Sequence, residues 1–280
     1  QYSVDRGGMK QLIAIVNEVR VLRHIRHTNV VLFSGACVDS VLGVVLLVLE
    51  RIDGPPLHDY VAAHSTNCEI RNRFKLLLDI ACALRYLHAQ LPQIIHGDLK
   101  DSNIMVEPAM PRAKLVDFGL SRLRTCGARP LGGTLAWMAP EIICRCESKP
   151  KPCADVFSFG RVAYLLVTSS RPLEGLSRRA IKEMARNGAE HAHLWHEDRP
   201  LHKECRRMCE QVLSVVPEQR PGMAQVLEEI LTWPLPDTCE AAVLAHELAK
   251  APAAPAQERR GETALSRMLG ALRGASLPAG

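Results

Sequence analysis

The octapeptide His96-Gly97-Asp98-Leu99-Lys100-Asp101-Ser102-Asn103, followed by Asp117-Phe118-Gly119, constrains this chain more than any other feature. An Asp can accept the proton of a substrate hydroxyl, and a Lys two positions on can neutralise a phosphoryl group in flight. An Asn five positions after that Asp, with a second Asp beyond, can hold Mg²⁺, a hard cation that favours oxygen ligands and keeps several waters. Together the two segments place a proton acceptor, a cation and two metal-binding oxygens in the order that phosphoryl transfer needs.

Ala139-Pro140-Glu141 lies downstream, behind Gly133-Thr134-Leu135-Ala136-Trp137-Met138. Asp155-Val156-Phe157-Ser158-Phe159-Gly160 and Glu218-Gln219-Arg220-Pro221 follow in turn. A lone Asp-Phe-Gly is a weak signal, but five segments in register between residues 96 and 221 are not a coincidence. In that order the chain resembles the eukaryotic protein kinases, over about residues 9–232. Lys100, with the span from Gly133 to Glu141, resembles the serine/threonine kinases of the tyrosine-kinase-like group.

The resemblance implies an α+β, two-lobed protein-kinase-like fold with a mainly helical large lobe. It implies transfer of the γ-phosphoryl group of ATP, with Mg²⁺, to Ser or Thr hydroxyls of protein substrates. Asp98 would be the base, Lys100 would stabilise the phosphoryl group in transfer, and Asn103 and Asp117 would hold the metal. Glu50-Arg51-Ile52-Asp53-Gly54 resembles the hinge between lobes. There Glu50 C=O and Ile52 N–H would face the purine, Leu49 would stand at the gate of the back pocket, and Met105 would press on the adenine from below. Such hinges bind through main-chain groups, so their side chains are read as uninformative. Glu18 resembles the glutamate that clamps the ATP-bound lysine; a solvated helix carboxylate is the plainer reading. Asp155 would satisfy N–H groups of the catalytic loop, and Arg220 would pair with Glu141. Thr134 would bond the catalytic Asp and Lys, and Thr125 is the better candidate for phosphorylation.

Two departures from the pattern matter. The glycine-rich loop and the lysine-bearing strand of kinases are not in this sequence. Three strands of ~5–6 residues with turns of ~2–5 need roughly 20 residues before the first helix, and eight precede Met9. Gly7-Gly8 and Lys10 do not supply them. The expectation is a domain whose small lobe is truncated, missing its first strands. Residues 1–52 are then a partial small lobe and hinge, 53–233 the large helical lobe, and 234–280 a Pro/Ala-rich tail. The alternative is a pseudokinase-like scaffold that binds partners without phosphoryl transfer. The retained Asp98, Asn103 and Asp117 argue against it, and the missing lysine argues for it. The second departure is Gly97, which stands where kinases carry the arginine that couples an activation-segment phosphate to activity. Phosphorylation at Thr125 is therefore expected to change turnover little.

Composition bears on the other function classes. The formal net charge is +5 and aromatic residues make up 4% of the chain, so stacking platforms for single-stranded nucleic acid are poorly supplied. Basic runs at residues 20–26 and 178–182 read as solvated helix faces, and no nucleic-acid partner is expected. No apolar stretch nears the ~20 residues that span a bilayer. The longest, residues 41–49, is rich in β-branched residues and reads as a buried strand. The ten cysteines include no Cys-x-x-Cys pair and accompany no signal peptide, so neither a disulfide scaffold nor a redox motif is indicated. An intracellular, cytoplasmic location is expected. Cys144, Cys146 and Cys153 lack the spacing of zinc sites. Oligomeric state is not legible in the sequence.

Apolar periodicity predicts helices over residues 9–25, 71–88, 155–168, 178–186, 202–215 and 222–232. Strands are predicted over 30–38, 41–50, 94–95 and 104–106. In the tail, a short helix is expected near residues 241–249, and Leu265, Met268, Leu269 and Leu272 make a small amphipathic stretch.

Overall fold

The computed structural model describes residues 18–39, 44–64, 70–119, 122–123, 135–144, 151–189 and 193–234. The first predicted helix is present over residues 18–22, and its earlier part lies outside the described residues. Val19, Leu22 and Ile25, spaced three apart, are all buried. Arg26 Nη1 donates to Ile25 O at 2.7 Å and reaches Leu22 O, in the last turn of the helix, at 3.4 Å.

Two strands follow, β1 (Phe33–Asp39) and β2 (Val44–Leu49), paired antiparallel with Ala36 opposite Leu47. The register is irregular between Phe33 and Gly35. The expectation of a buried strand fails for β2. Leu46 and Val48 are 45% and 48% exposed, whereas Leu47 and Leu49 pack against the core. A continuous apolar run does not reveal which face of the pleat meets a neighbour, because successive side chains alternate.

The large lobe begins with α1 (Leu57–Ala63) and the long α2 (Ile70–His88). β3 (Ile94–Ile95), a 3₁₀ turn at Asp101–Asn103, β4 (Ile104–Glu107), β5 (Arg112–Leu115) and β6 (Arg122–Leu123) come next. The lobe continues with α3 (Pro140–Ile143), α4 (Pro152–Thr168), α5 (Arg178–Asn187), α6 (His202–Val212) and α7 (Met223–Ile230). β4 and β5 form an antiparallel pair with Ile104 opposite Leu115, and β3 pairs with β6.

The lobe is organised around α4, in which every residue from Ala154 to Val167 is buried. Pro152 sits in its first turn, where a missing N–H costs nothing, and Ser169 closes it with φ +64°. α2 packs against α4, α7 and β5, and α6 packs against α4. Arg73 of α2 joins these pieces. Its buried guanidinium donates to Leu166 O (3.1 Å) and Ser169 Oγ (2.6 Å) at the end of α4, and to His64 O (2.6 Å) at the end of α1. The cation thus meets the carbonyl-rich, partly negative ends of two helices.

The segment after the first helix is laced onto β5. Val31 N–H donates to Leu115 O, and Leu115 N–H donates to Asn29 O, each at 2.9 Å. Asn29 Nδ2 adds a bond to Ala113 O at 2.9 Å. The strand that leads into Asp117 is therefore shared by the two lobes. Among the described residues no helix is long and apolar enough to cross a membrane.

Candidate active site

The catalytic loop hangs from α4. Asp155, 1% exposed, accepts from the N–H groups of His96 (2.8 Å) and Gly97 (2.9 Å). His88 Nε2 lies 2.9 Å from its Oδ2. Burial pushes this carboxyl up, but the hydrogen bond and field of His88, with His96 and the Gly97 N–H, outweigh that and hold it below the usual carboxylate range. Gly97 has φ +79°, a left-handed backbone that costs a residue bearing a Cβ about 1 kcal/mol or more. Glycine suits the turn of the loop, apart from the cation it cannot supply.

Burial likewise holds the His96 imidazole below its usual range, despite the carboxylates of Asp155 and Asp98. The neutral ring then accepts from Asp98 N–H through Nδ1 (3.4 Å) and donates from Nε2 to Val116 O (3.2 Å). It lies 5.0 Å from the ring of Phe118, which is fully buried.

Three of the predicted catalytic residues meet at one carboxylate. Lys100 Nζ lies 2.6 Å from Asp98 Oδ2. Asn103 Nδ2 donates to Asp98 O at 2.9 Å and reaches Asp98 Oδ2 at 3.3 Å. The 3₁₀ turn that makes this possible is pinned by Asp101, which accepts from Ser102 N–H and Arg171 Nη2, both at 2.8 Å. Asp98 Oδ1 has no hydrogen-bond partner among the described residues. With Nδ2 committed to Asp98, Asn103 Oδ1 also has no protein donor there.

Asp117 is exposed and takes φ +61°, a conformation that its short polar side chain tolerates better than most. Its Oδ1 accepts from Gly119 N–H at 3.2 Å. Val116 N–H donates to Asn103 O at 3.0 Å, so Asp117 is one residue along the chain from that bond. Glu18 comes to the same place. A Cβ on Gly119 would lie 3.2 Å from Asp117 Oδ1 and 3.9 Å from Glu18 Oε2. Burial first, then the charge of Asp117, push Glu18 up to about 6, against a hydrogen bond from Phe118 N–H. Two neighbouring carboxylates call for a cation, and among the described residues no lysine or arginine pairs with Glu18.

The hinge runs beside β4: Val106 N–H donates to Pro55 O at 2.9 Å, and Pro56 forms a bridge with Met105. Leu49, Ile52 and Met105 are half-buried. Glu50 C=O and Ile52 N–H have no backbone partner among the described residues, which leaves both available to a purine edge. The expectation that hinge side chains say little needs correction. Both Glu50 carboxylate oxygens lie 2.8 Å from Lys114 Nζ, and Oε1 also accepts from Leu32 N–H at 2.8 Å. The signal for this pair was Lys114 itself, a cation inside the short apolar strand three residues before Asp117.

The oxygens on offer to a metal are sparse, Asn103 Oδ1 and the Asp117 carboxylate. Among the described residues no cluster of three His, Cys, Asp or Glu side chains occurs. This set fits Mg²⁺, which binds one or two carboxylates and completes its octahedron with phosphate and water oxygens. Ser121, Thr125, Thr134, Gly7, Gly8, Lys10, Cys146 and the tail stretches lie outside the described residues. Two further expectations hold. Asp155 supports the loop as described, and Arg220 pairs with Glu141 through both guanidinium ends, at 2.7 and 2.8 Å.

Residues 3–231 match the protein kinase domain family. This chain belongs to the protein kinase family. The kinase domain is 33% identical over 217 residues to a probable serine/threonine-protein kinase of Dictyostelium discoideum, covering 75% of this chain and 19% of that protein. It is 34% identical over 191 residues to the dual specificity protein kinase splA of the same organism, covering 62% of this chain and 8% of the other. It is 31% identical over 234 residues to the serine/threonine-protein kinase A-Raf of Sus scrofa, covering 81% and 38%. The kinase domain thus spans less than two fifths of the length of these relatives.

Proposed function

We propose that this kinase domain transfers the γ-phosphoryl group of ATP, with Mg²⁺, to serine or threonine hydroxyls of protein substrates. The observation that carries this reading is the division of labour on Asp98. Its Oδ2 is held by Lys100 at 2.6 Å and Asn103 at 3.3 Å, while Oδ1, without a partner among the described residues, would accept a hydroxyl proton. Lys100 would stand beside the phosphoryl oxygens in transfer, where a fixed charge stabilises the transition state without reorganising. Asn103 Oδ1 and Asp117 would hold Mg²⁺, whose charge would neutralise the phosphates. Leu49, Ile52 and Met105 would line the adenine site, with the main chain of Glu50 and Ile52 at its edge. Glu18, beside Asp117, would accept whatever cation completes the phosphate site.

The test is Mg²⁺-dependent turnover on Ser, Thr and Tyr peptides, using the protein with any upstream coding sequence included. Asp98→Asn is expected to lower kcat by roughly 10²–10⁴-fold with little change in KM for ATP. Equal turnover in Asp98→Asn and the parent would overturn the reading. So would tyrosine peptides outpacing serine and threonine peptides, as regards the acceptor. A folded parent with no turnover on any peptide would favour the scaffold instead.

A further inference from the structure

A second site lies on the far side of α4 from the catalytic loop. A cavity of about 500 Å³ opens between the segment leading into α3 and helices α4, α5 and α6. That volume falls within the ~300–1,000 Å³ of small-molecule sites. Its walls are largely apolar, with Leu135, Ile181, Met184, Trp195 and Leu213 among them. Arg161 of α4 and Arg206 of α6 are also in the lining.

The two cations differ in one respect. Arg206 is compensated twice, by Glu197 at 2.8 Å and Glu210 at 3.2 Å. Arg161 is 7% exposed and has no carboxylate partner among the described residues. Nη1 donates to His193 Nε2 at 3.2 Å, and the guanidinium carbon lies 5.3 Å from the Phe157 ring centre. Nε is buried with no hydrogen-bond partner. Burial pushes the group down to about 10, while a thiol and a phenol, Cys209 and Tyr164, act to raise it. It therefore stays charged at neutral pH.

A comparison within the molecule shows what is missing. Arg220 faces the same Phe157 ring, at 4.9 Å, and is equally buried, but Glu141 takes both of its ends. A buried guanidinium is ordinarily neutralised in this way, because a lone charge out of water is costly. Among the described residues Arg161 has the burial and the ring without the anion, and it borders an open apolar cavity.

We propose that this cavity binds a small carboxylic acid with an apolar body, its carboxylate paired with Arg161 and its body against Leu135, Ile181 and Met184. One uncompensated cation matches one negative charge, which favours a carboxylate over a phosphate dianion. The planar fork of a guanidinium matches the two oxygens of a carboxylate. None of the catalytic-loop residues lines the cavity, and its test reads binding rather than turnover.

The probes are octanoate, 1-octanol and octyl phosphate, titrated into the full chain labelled at its methionine methyl groups. Met138 and Met184 line the cavity, so their signals report occupancy at this place. Octanoate is expected to shift both signals saturably and to bind on the order of tenfold to a hundredfold more tightly than octanol. Arg161→Met should retain the fold and bind acid and alcohol alike. Ala185→Phe, which fills the cavity from the half-exposed helix α5, should lose both ligands; it keeps the test intact should Arg161→Met not fold. The proposal is overturned by equal affinity for octanoate and octanol in the parent, or by an acid preference that survives Arg161→Met. It is overturned equally by tighter binding of octyl phosphate, or by no shift of either methionine at millimolar octanoate.

Discussion

At Gly54 the hinge passes so close to β4 that a Cβ would stand 1.8 Å from Val106 O and 2.7 Å from Val106 C. Both atoms are backbone, so nothing flexible can yield. Gly54→Ala must lift the hinge off β4, straining the Val106 N–H to Pro55 O bond and the Pro56–Met105 bridge. It is expected to cost about 1–3 kcal/mol in urea unfolding and to raise KM for ATP more than it lowers kcat. An unchanged KM would mean that adenine is held elsewhere. His27 carries a second prediction at this scale. Burial, helped by the charge of Arg85, pushes its imidazole down to about 4, against an ordinary value near 6.5. Between those values the unfolded chain binds the proton and the folded chain does not. Its contribution is therefore fully present above pH ~6.5 and is lost as pH falls toward ~4, where the loss levels off. His27→Gln should flatten the acid slope of unfolding free energy across that window. An unaltered slope would assign it to other groups.

Among the elements, the bond between Arg220 and Glu141 ties the chain after α6 to the start of α3. Both partners are buried, so Arg220→Met strands a carboxylate and is expected to cost about 3–5 kcal/mol. Adding Glu141→Leu should recover most of that loss; a double variant no more stable than the single would deny the stranded charge. This pair was legible in the sequence because each residue sits in a motif of its own. α2 and α4 were legible because 19 and 17 residues give several turns of apolar pattern. α1 was not expected. Its seven residues follow Pro55-Pro56 and make fewer than two turns, although Leu57, Tyr60 and Val61 do turn inward. α6 ends at Val212, three residues short of its expected end, where Leu213 and Ser214 leave the helix. β2 was recognised as a strand but misjudged in burial, since a run of Val and Leu looks the same with one face covered as with two.

For the molecule as a whole, the loop that assembles at Asp98 was readable from residue types, their spacing and the family resemblance they carry. Beyond the Arg220–Glu141 pair and the Asp155 support of the loop, the sequence did not show which side chains serve as ties between distant segments. Lys114 with Glu50, Arg73 with two helix ends, and Arg161 with His193 and Phe157 depend on three-dimensional proximity rather than on any local pattern. The same holds for surface character. Leu32, Leu46 and Val48 are each more than two fifths exposed, and apolar surface of this kind promotes association. Val48→Lys is expected to reduce self-association in analytical ultracentrifugation at micromolar concentrations without lowering the unfolding midpoint. Unchanged sedimentation would place the contact elsewhere.

The Glu50–Lys114 bond has a mechanical meaning. One end lies where a purine would rest, and the other lies on β5, three residues before Asp117, the carboxylate proposed to hold the metal. With both oxygens engaged at 2.8 Å, the two ends of a bound nucleotide would be gauged by a single stiff ruler. An opening motion that keeps this bond would pivot outside that span and leave the base-to-phosphate distance of the proposed site unchanged.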